Sequence, residues 1–266
     1  FPQKALADIG MPLEGLSQSD LLAEMALVPR ELAEQCLAWY QAQGMRFEFG
    51  SDPATELTRD QVLEQCAMLI ALGRFVDRFG LSAVGVQYQQ GLARCCAASD
   101  FAEGAIGNAE RFPIPTVDGR IVRKGKAIPC INEVDMGTAI PQTMLWRLLD
   151  SLGLPAETTL HDIRWGSEFE GTFYWDLEIS GAVPFEHLKG GLRGATEPRP
   201  GYLGIPQLVP DLEQVRAIAI GLDRRAVVAR DQAAFARADD RHAVQHDAAH
   251  LAWPVRRQRD RKAGAE

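Results

Sequence analysis

Apolar residues in the first third of the chain recur at helical spacing. Leu32, Cys36, Trp39 and Tyr40 fall at i, i+4, i+7 and i+8, one face of a helix. Pro29 suits the first position of that helix and Gly44 is placed to end it. Upstream, Ser19-Asp20 offers a cap to a helix that opens Leu21-Leu22-Ala23. Thr58-Arg59-Asp60-Gln61 reads as a capping box before a helix with Val62, Cys66, Leu69, Ile70 and Phe75 inward, closed by Gly80. Phe47-Glu48-Phe49 predicts a short edge strand, and Ala83 to Tyr88 a short buried strand of the kind found in parallel sheets.

The pattern then alternates. Ser99 or Asp100 caps a further helix to about Asn108, and Val117-Asp118-Gly119-Arg120-Ile121-Val122 reads as a hairpin tip. A helix from Gln142 to Leu152 would turn Met144, Leu145, Leu148 and Leu149 inward, with Gly153 as its stop. Phe173, Trp175, Leu177 and Ile179 alternate with Thr172, Tyr174, Asp176 and Glu178, a half-buried strand by period. Helix, glycine, buried strand and polar loop in succession point to an α/β fold.

Composition narrows the class. Of 266 residues, 46% are hydrophobic and 24% charged, the balance of a globular chain with room for one large domain or two. The formal charge of -8 disfavours nucleic acid or an anionic membrane as partner. No run approaches the roughly 18 apolar residues of a membrane span. Phe1-Pro2-Gln3-Lys4 has no signal-peptide h-region. Five cysteines without CxxC spacing argue against a disulfide framework or a zinc knuckle, so the expected location is cytoplasmic.

Two stretches set carboxylates among apolar residues: Cys130-Ile131-Asn132-Glu133-Val134-Asp135-Met136-Gly137 and Thr159-Leu160-His161-Asp162-Ile163-Arg164-Trp165-Gly166. Burying such charge is costly without a cation or donors. Taken singly, Glu133 and Asp135 are readable as helix caps, Asp162 with Arg164 as an ion pair, and Gln87 to Gln90 as a plain polar loop. Taken together, Gln87, Asp162 and Ser180 each read as the carboxyl end of a strand, where α/β folds bind ligands. Carboxylates and carboxamides are hard oxygen donors suited to Mn²⁺ or Mg²⁺.

These residues also carry a family resemblance. Gly85-Val86-Gln87-Tyr88-Gln89-Gln90-Gly91, Ala98-Ser99-Asp100-Phe101-Ala102-Glu103-Gly104, Asn132-Glu133-Val134-Asp135, Leu160-His161-Asp162-Ile163-Arg164-Trp165-Gly166 and Glu178-Ile179-Ser180-Gly181-Ala182 follow one another in consistent order. From Met11 to Gly194 the chain resembles the L-fucose isomerase family. The resemblance implies a metal-dependent aldose–ketose isomerase, interconverting sugars such as L-fucose and L-fuculose or D-arabinose and D-ribulose through an enediol. It makes Glu133 and Asp162 both the Mn²⁺ ligands and the alternating general base and acid. It makes Gln87 and Ser180 substrate contacts and leaves Asp135 a neighbour. It needs no nicotinamide or flavin, consistent with the lack of a GxGxxG fingerprint.

The same resemblance implies a partial chain, since family members are longer at both ends and assemble as homo-oligomers. On this reading residues 1–153 are a Rossmann-like layered α/β domain and 154–195 the truncated start of a mixed, β-rich domain. Residues 196–266 are an atypical Arg- and Ala-rich tail, read either as disordered or as out-of-frame sequence. The family's third metal ligand is a histidine in an Asn-His context. His242, His246 and His250 do not match that context, so the third ligand stays unassigned. Cys130 stands where many relatives carry histidine. The alternative reading is a catalytically inactive sugar- or metal-binding fragment. Paired-carboxylate glycoside hydrolysis has the residue types but no motif.

Overall fold

In the computed structural model the described residues are 3–53, 56–88, 91–132, 136–158, 162–169, 172–178, 184–187 and 190–197. The helices are α1 (Gln3–Asp8), α2 (Gln18–Ala26), α3 (Arg30–Ala42), α4 (Arg59–Phe79), α5 (Asp100–Ile106) and α6 (Met136–Ser151). The strands are β1 (Arg46–Phe47), β2 (Val84–Val86), β3 (Cys130–Asn132), β4 (Asp162–Phe169), β5 (Thr172–Glu178) and β6 (Thr196–Glu197). They pair as three two-stranded ladders: β1 with β6 and β2 with β3 parallel, and β4 with β5 antiparallel.

Helix ends follow side-chain chemistry. Thr58 and Gln61 form the expected capping box at α4, and Gly80 ends that helix at φ +62° in the left-handed region open to glycine. At α2 the cap is Ser17, not Ser19-Asp20. The Asp20 amide donates to Ser17 Oγ at 3.1 Å, and the Ser17 amide donates back to Asp20 Oδ2 at 2.8 Å. Asp20 is therefore the N3 partner of the box, which starts the helix earlier than its apolar pattern does.

α3 and α4 pack side by side, with Cys36, Leu37 and Tyr40 of one against Cys66, Leu69 and Ile70 of the other in one large core. Leu32 and Trp39 lie half-buried at its margin, so the predicted apolar face of α3 is the packed one. Tyr40 meets Phe101 of α5 edge-on at 5.0 Å between ring centres. Phe185, Leu192 and Ala195 join this same core from far along the chain, and β6 pairs with β1 beside them. The buried carboxylate of Glu24 is held by Arg78 at 2.7 Å and Arg74 at 3.8 Å, the pairing a buried charge requires.

Between α5 and β3 the chain is organised by one arginine. Buried Arg111 donates to the carbonyls of Asn108 at 2.8 Å, Val122 at 3.2 Å and Arg123 at 3.1 Å, and also to that of Lys126. Burial lowers its guanidinium to about 10. The expected hairpin tip lies inside this segment: Pro115 bridges Ile121 antiparallel, with Gly119 at φ +84°.

α6 departs from expectation twice. It begins at Met136 and carries Pro141 within it. Its inward residues are Gln142, Thr143 and Trp146 with Leu149, against Ala127 and Ala156. Met144, Leu145 and Leu148, expected inside, are 59%, 48% and 56% exposed. The buried indole ring and Gln142, which bonds to β3 and to Thr158, set the helix's rotation in place of its aliphatic stripe, while Thr143 donates back to the Ala139 carbonyl of α6 itself.

Candidate functional site

β2 and β3 are the framework of the site. Val84 and Val86 are buried, as are Cys130 and Ile131, and Val86 stands opposite Asn132 in the parallel register. The crossover between the two strands runs through α5, the kind of connection a parallel pair requires. Because the strands are parallel and in register, the chain leaves both at the same end. Gln87 is the first residue beyond that end on β2, where its side chain is exposed. Glu133 follows Asn132 directly in the sequence and, with Val134 and Asp135, lies outside the described residues.

The backbone at Gln87 is held from a distant element. Gln18, in the first turn of α2, donates its Nε2 to the Gln87 carbonyl at 2.6 Å. Gly91 lets Gln18 come close: a Cβ there would lie 2.5 Å from Gln18 Oε1. Tyr88 donates its hydroxyl to the Cys96 carbonyl at 3.2 Å, and burial raises that hydroxyl's pKa. The α2 N-terminus and the Tyr88 bond together fix how the chain leaves β2.

Behind the strands lies a buried polar row that sequence reasoning did not single out. The Ser99 hydroxyl donates to Glu103 Oε1 within α5's first turn, and Gln65 of α4 accepts the Ala102 amide at 3.4 Å. Ser99 occupies the cap position of α5 but makes no side-chain cap bond, its hydroxyl donating to Glu103. Burial first and the Glu103 charge second raise the Cys130 thiol well above its ordinary range. One signal was visible. Glu103 is the single acid in Phe101-Ala102-Glu103-Gly104-Ala105-Ile106, a run in which every residue is buried.

The second carboxylate stretch enters the antiparallel ladder. Asp162 is the first residue of β4 and pairs with Glu178, the last of β5. It is thus at the amino end of its own strand, not the carboxyl end expected. The antiparallel partner nevertheless brings it to the carboxyl end of β5, two residues before Ser180 in the sequence. The register shifts between Ile163 and Trp165, a bulge beside Asp162. The Asp162 carboxylate, His161 and Ser180 lie outside what is described, as do residues 198–266 with His242, His246 and His250.

α6 bonds to the first stretch and to the residue just before the second. Gln142 donates Nε2 to the Cys130 carbonyl at 3.3 Å and to Thr158 Oγ1 at 3.0 Å. Among the described residues no three His, Cys, Asp or Glu side chains gather as a metal-ligand group. A separate cleft of about 340 Å³ sits on the last turns of α4, lined by Arg74, Asp77, Arg78, Thr116, Asp118 and Arg120. Its charges are largely spent on one another: Arg120 pairs with Asp77 at 3.0 Å and Asp118 at 2.9 Å, and Arg78 with Glu24. No helix among the described residues is long and apolar enough to cross a membrane. Comparison of the chain with models of protein families, with curated proteins and with solved structures finds no match.

Proposed function

We propose that this chain is a metal-dependent aldose–ketose isomerase of the L-fucose isomerase type, acting through an enediol intermediate. What supports this reading most is the β2–β3 register, which puts Gln87 at the strand end from which the chain runs on into Glu133. Asp162, at the shared end of the β4–β5 ladder, supplies the second carboxylate in the order the family motif requires. The fold proposed with it is a Rossmann-like α/β domain over residues 1–153 followed by the start of a β-rich domain.

Glu133 and Asp162 are a pair of hard oxygen donors, which fits Mn²⁺ or Mg²⁺ and not a soft metal. When bound, such an ion supplies Lewis-acid polarisation of the sugar carbonyl. The residues' own work is proton transfer. One carboxylate takes the C2 proton of the aldose and the other delivers a proton to C1, while O1 gains the proton that O2 gives up. The sugar's composition is unchanged, so no external oxidant or reductant enters. The Gln87 carboxamide offers both a donor and an acceptor to sugar hydroxyls, and Ser180, which follows β5 in the sequence, is the second substrate contact of this reading. The exposed Met144, Leu145 and Leu148 of α6 support a homo-oligomer, since a cluster of large apolar side chains on a surface is normally covered. The location proposed is the cytoplasm.

The test is ketose formation from L-fucose or D-arabinose by the purified chain with Mn²⁺. Glu133→Gln and Asp162→Asn each lower turnover by about 10²–10⁴-fold without altering the far-ultraviolet circular dichroism. Undiminished turnover in either variant overturns the assignment. Calorimetric binding of Mn²⁺ and sugar without any ketose favours the binding-only alternative.

A further inference from the structure

We infer that Gln142 is a positioning residue for the two carboxylate-bearing segments, a role that rests on the isomerase reading. Its carboxamide nitrogen donates to two separate segments: to the Cys130 carbonyl of β3 at 3.3 Å, and to Thr158 Oγ1, in the loop after α6, at 3.0 Å. Cys130 precedes Glu133 by three residues, and Thr158 precedes Asp162 by four. Between those anchors the chain runs out through the whole of α6 and back. The amide is the short connection between two segments that the covalent path joins only at length.

Its environment argues against a bond made for stability alone. Gln142 is 8% exposed, and its Oε1 has no hydrogen-bond partner among the described residues. Its orientation is nevertheless determined. Turned over, the amide would set Oε1 against the Cys130 carbonyl, acceptor to acceptor. A buried amide with an orphaned acceptor is a costly way to fill a core, where an apolar side chain of similar volume avoids the penalty. The indole Nε1 of Trp146, one turn further along α6, is likewise buried with no hydrogen-bond partner among the described residues. α6 thus presents polar atoms inward and leaves Met144, Leu145 and Leu148 outside. That arrangement follows if the helix is rotated by the need to grip both segments.

The clamp does not touch the metal or the sugar. It acts by tying Cys130, upstream of Glu133, to Thr158, upstream of Asp162, the manner in which outer groups tune a metal site. Thr158 is its second half, and only its hydroxyl oxygen matters to the bond.

The experiment is a Mn²⁺ titration of the full chain, following free Mn²⁺ by electron paramagnetic resonance, with a urea denaturation curve for each variant. Gln142→Met and Thr158→Val weaken Mn²⁺ binding by about 10–100-fold, the range seen when outer-shell partners are removed. Thr158→Ser, which keeps the hydroxyl, binds as the unaltered chain does. If Gln142→Met does not fold, the contrast between Thr158→Val and Thr158→Ser decides alone. A lowered urea midpoint with unchanged Mn²⁺ affinity in the folded variants overturns the positioning role and leaves the isomerase reading standing. Absence of Mn²⁺ binding by the unaltered chain overturns both.

Discussion

Gly73 lies in the middle of α4, where alanine would ordinarily be preferred by about 1 kcal/mol. Here the preference is reversed by packing. A Cβ at this position would sit 2.7 Å from Ile114 Cδ1, 2.8 Å from Cγ2 and 3.4 Å from Cβ. Ile114 is fully buried and cannot swing into solvent. Forcing a methyl into such a core costs about 1–3 kcal/mol, so Gly73→Ala should destabilise by roughly 0–2 kcal/mol after the helix gain is credited. The decisive measurement is the double-mutant cycle. Ile114→Ala alone costs about 2–5 kcal/mol, but it removes the two closest atoms. In that background Gly73→Ala should stabilise by about 1 kcal/mol. Urea unfolding followed by circular dichroism gives the four stabilities, and the coupling should reach about 1–3 kcal/mol. If Gly73→Ala stabilises both backgrounds equally, α4 and Ile114 are not in the contact described.

Two other outcomes are expected. Cys95 is exposed, Cys96 is raised to about 11 mainly by burial, and burial raises Cys36 and Cys130 well above their ordinary range. Ellman's reagent at pH 8 should therefore meet one fast thiol in the native chain, and Cys95→Ser should abolish that phase; three or more fast thiols would refute the packing. Bonds from the Ser17 hydroxyl, and then the Ser17 backbone, hold the Asp20 carboxyl below its ordinary 3.8. A carboxylate lowered by folding stabilises the folded state above its ordinary value and loses that contribution as pH falls through the folded value. The melting-temperature gap between the unaltered chain and Asp20→Asn should be present at pH 7 and close on acidification below 3.8; a gap unchanged at low pH would remove the capping box from α2's stability.

The helices packed against a single core were legible because one face of each does one job. α3 and α4 show their buried stripe directly in Cys36, Tyr40, Cys66 and Leu69, and the α4 cap is readable from Thr58 and Gln61 alone. β5 was legible from strict alternation. What local pattern could not reveal is closure at long range. Nothing near Thr196 announces a pairing with Arg46, and nothing near Phe185 announces a place in the first core. α6 shows a different limit. Hydrophobicity ranked Met144, Leu145 and Leu148 as the inner face, while the helix turns on Trp146 and Gln142. Its start was expected at Gln142, whereas the helix opens at Met136 and carries Pro141 inside it, where a proline ordinarily breaks a helix.

The site divides along the same line. Gln87 was placed at a strand end because a short β-rich run with a polar exit has one reading in a parallel pair. Asp162 was assigned the wrong end of its strand, since only the partner's direction tells which end of an antiparallel ladder a residue shares. Gln18 and Gln142 left no trace in the pattern at all. Each is an ordinary polar residue in sequence, and each acquires meaning from a carbonyl that folding delivers: that of Gln87 for the first, that of Cys130 for the second. Residues that would do chemistry stand out because charge among apolar neighbours is expensive. Residues that hold them in place are cheap locally, and so are visible only once the chain has folded.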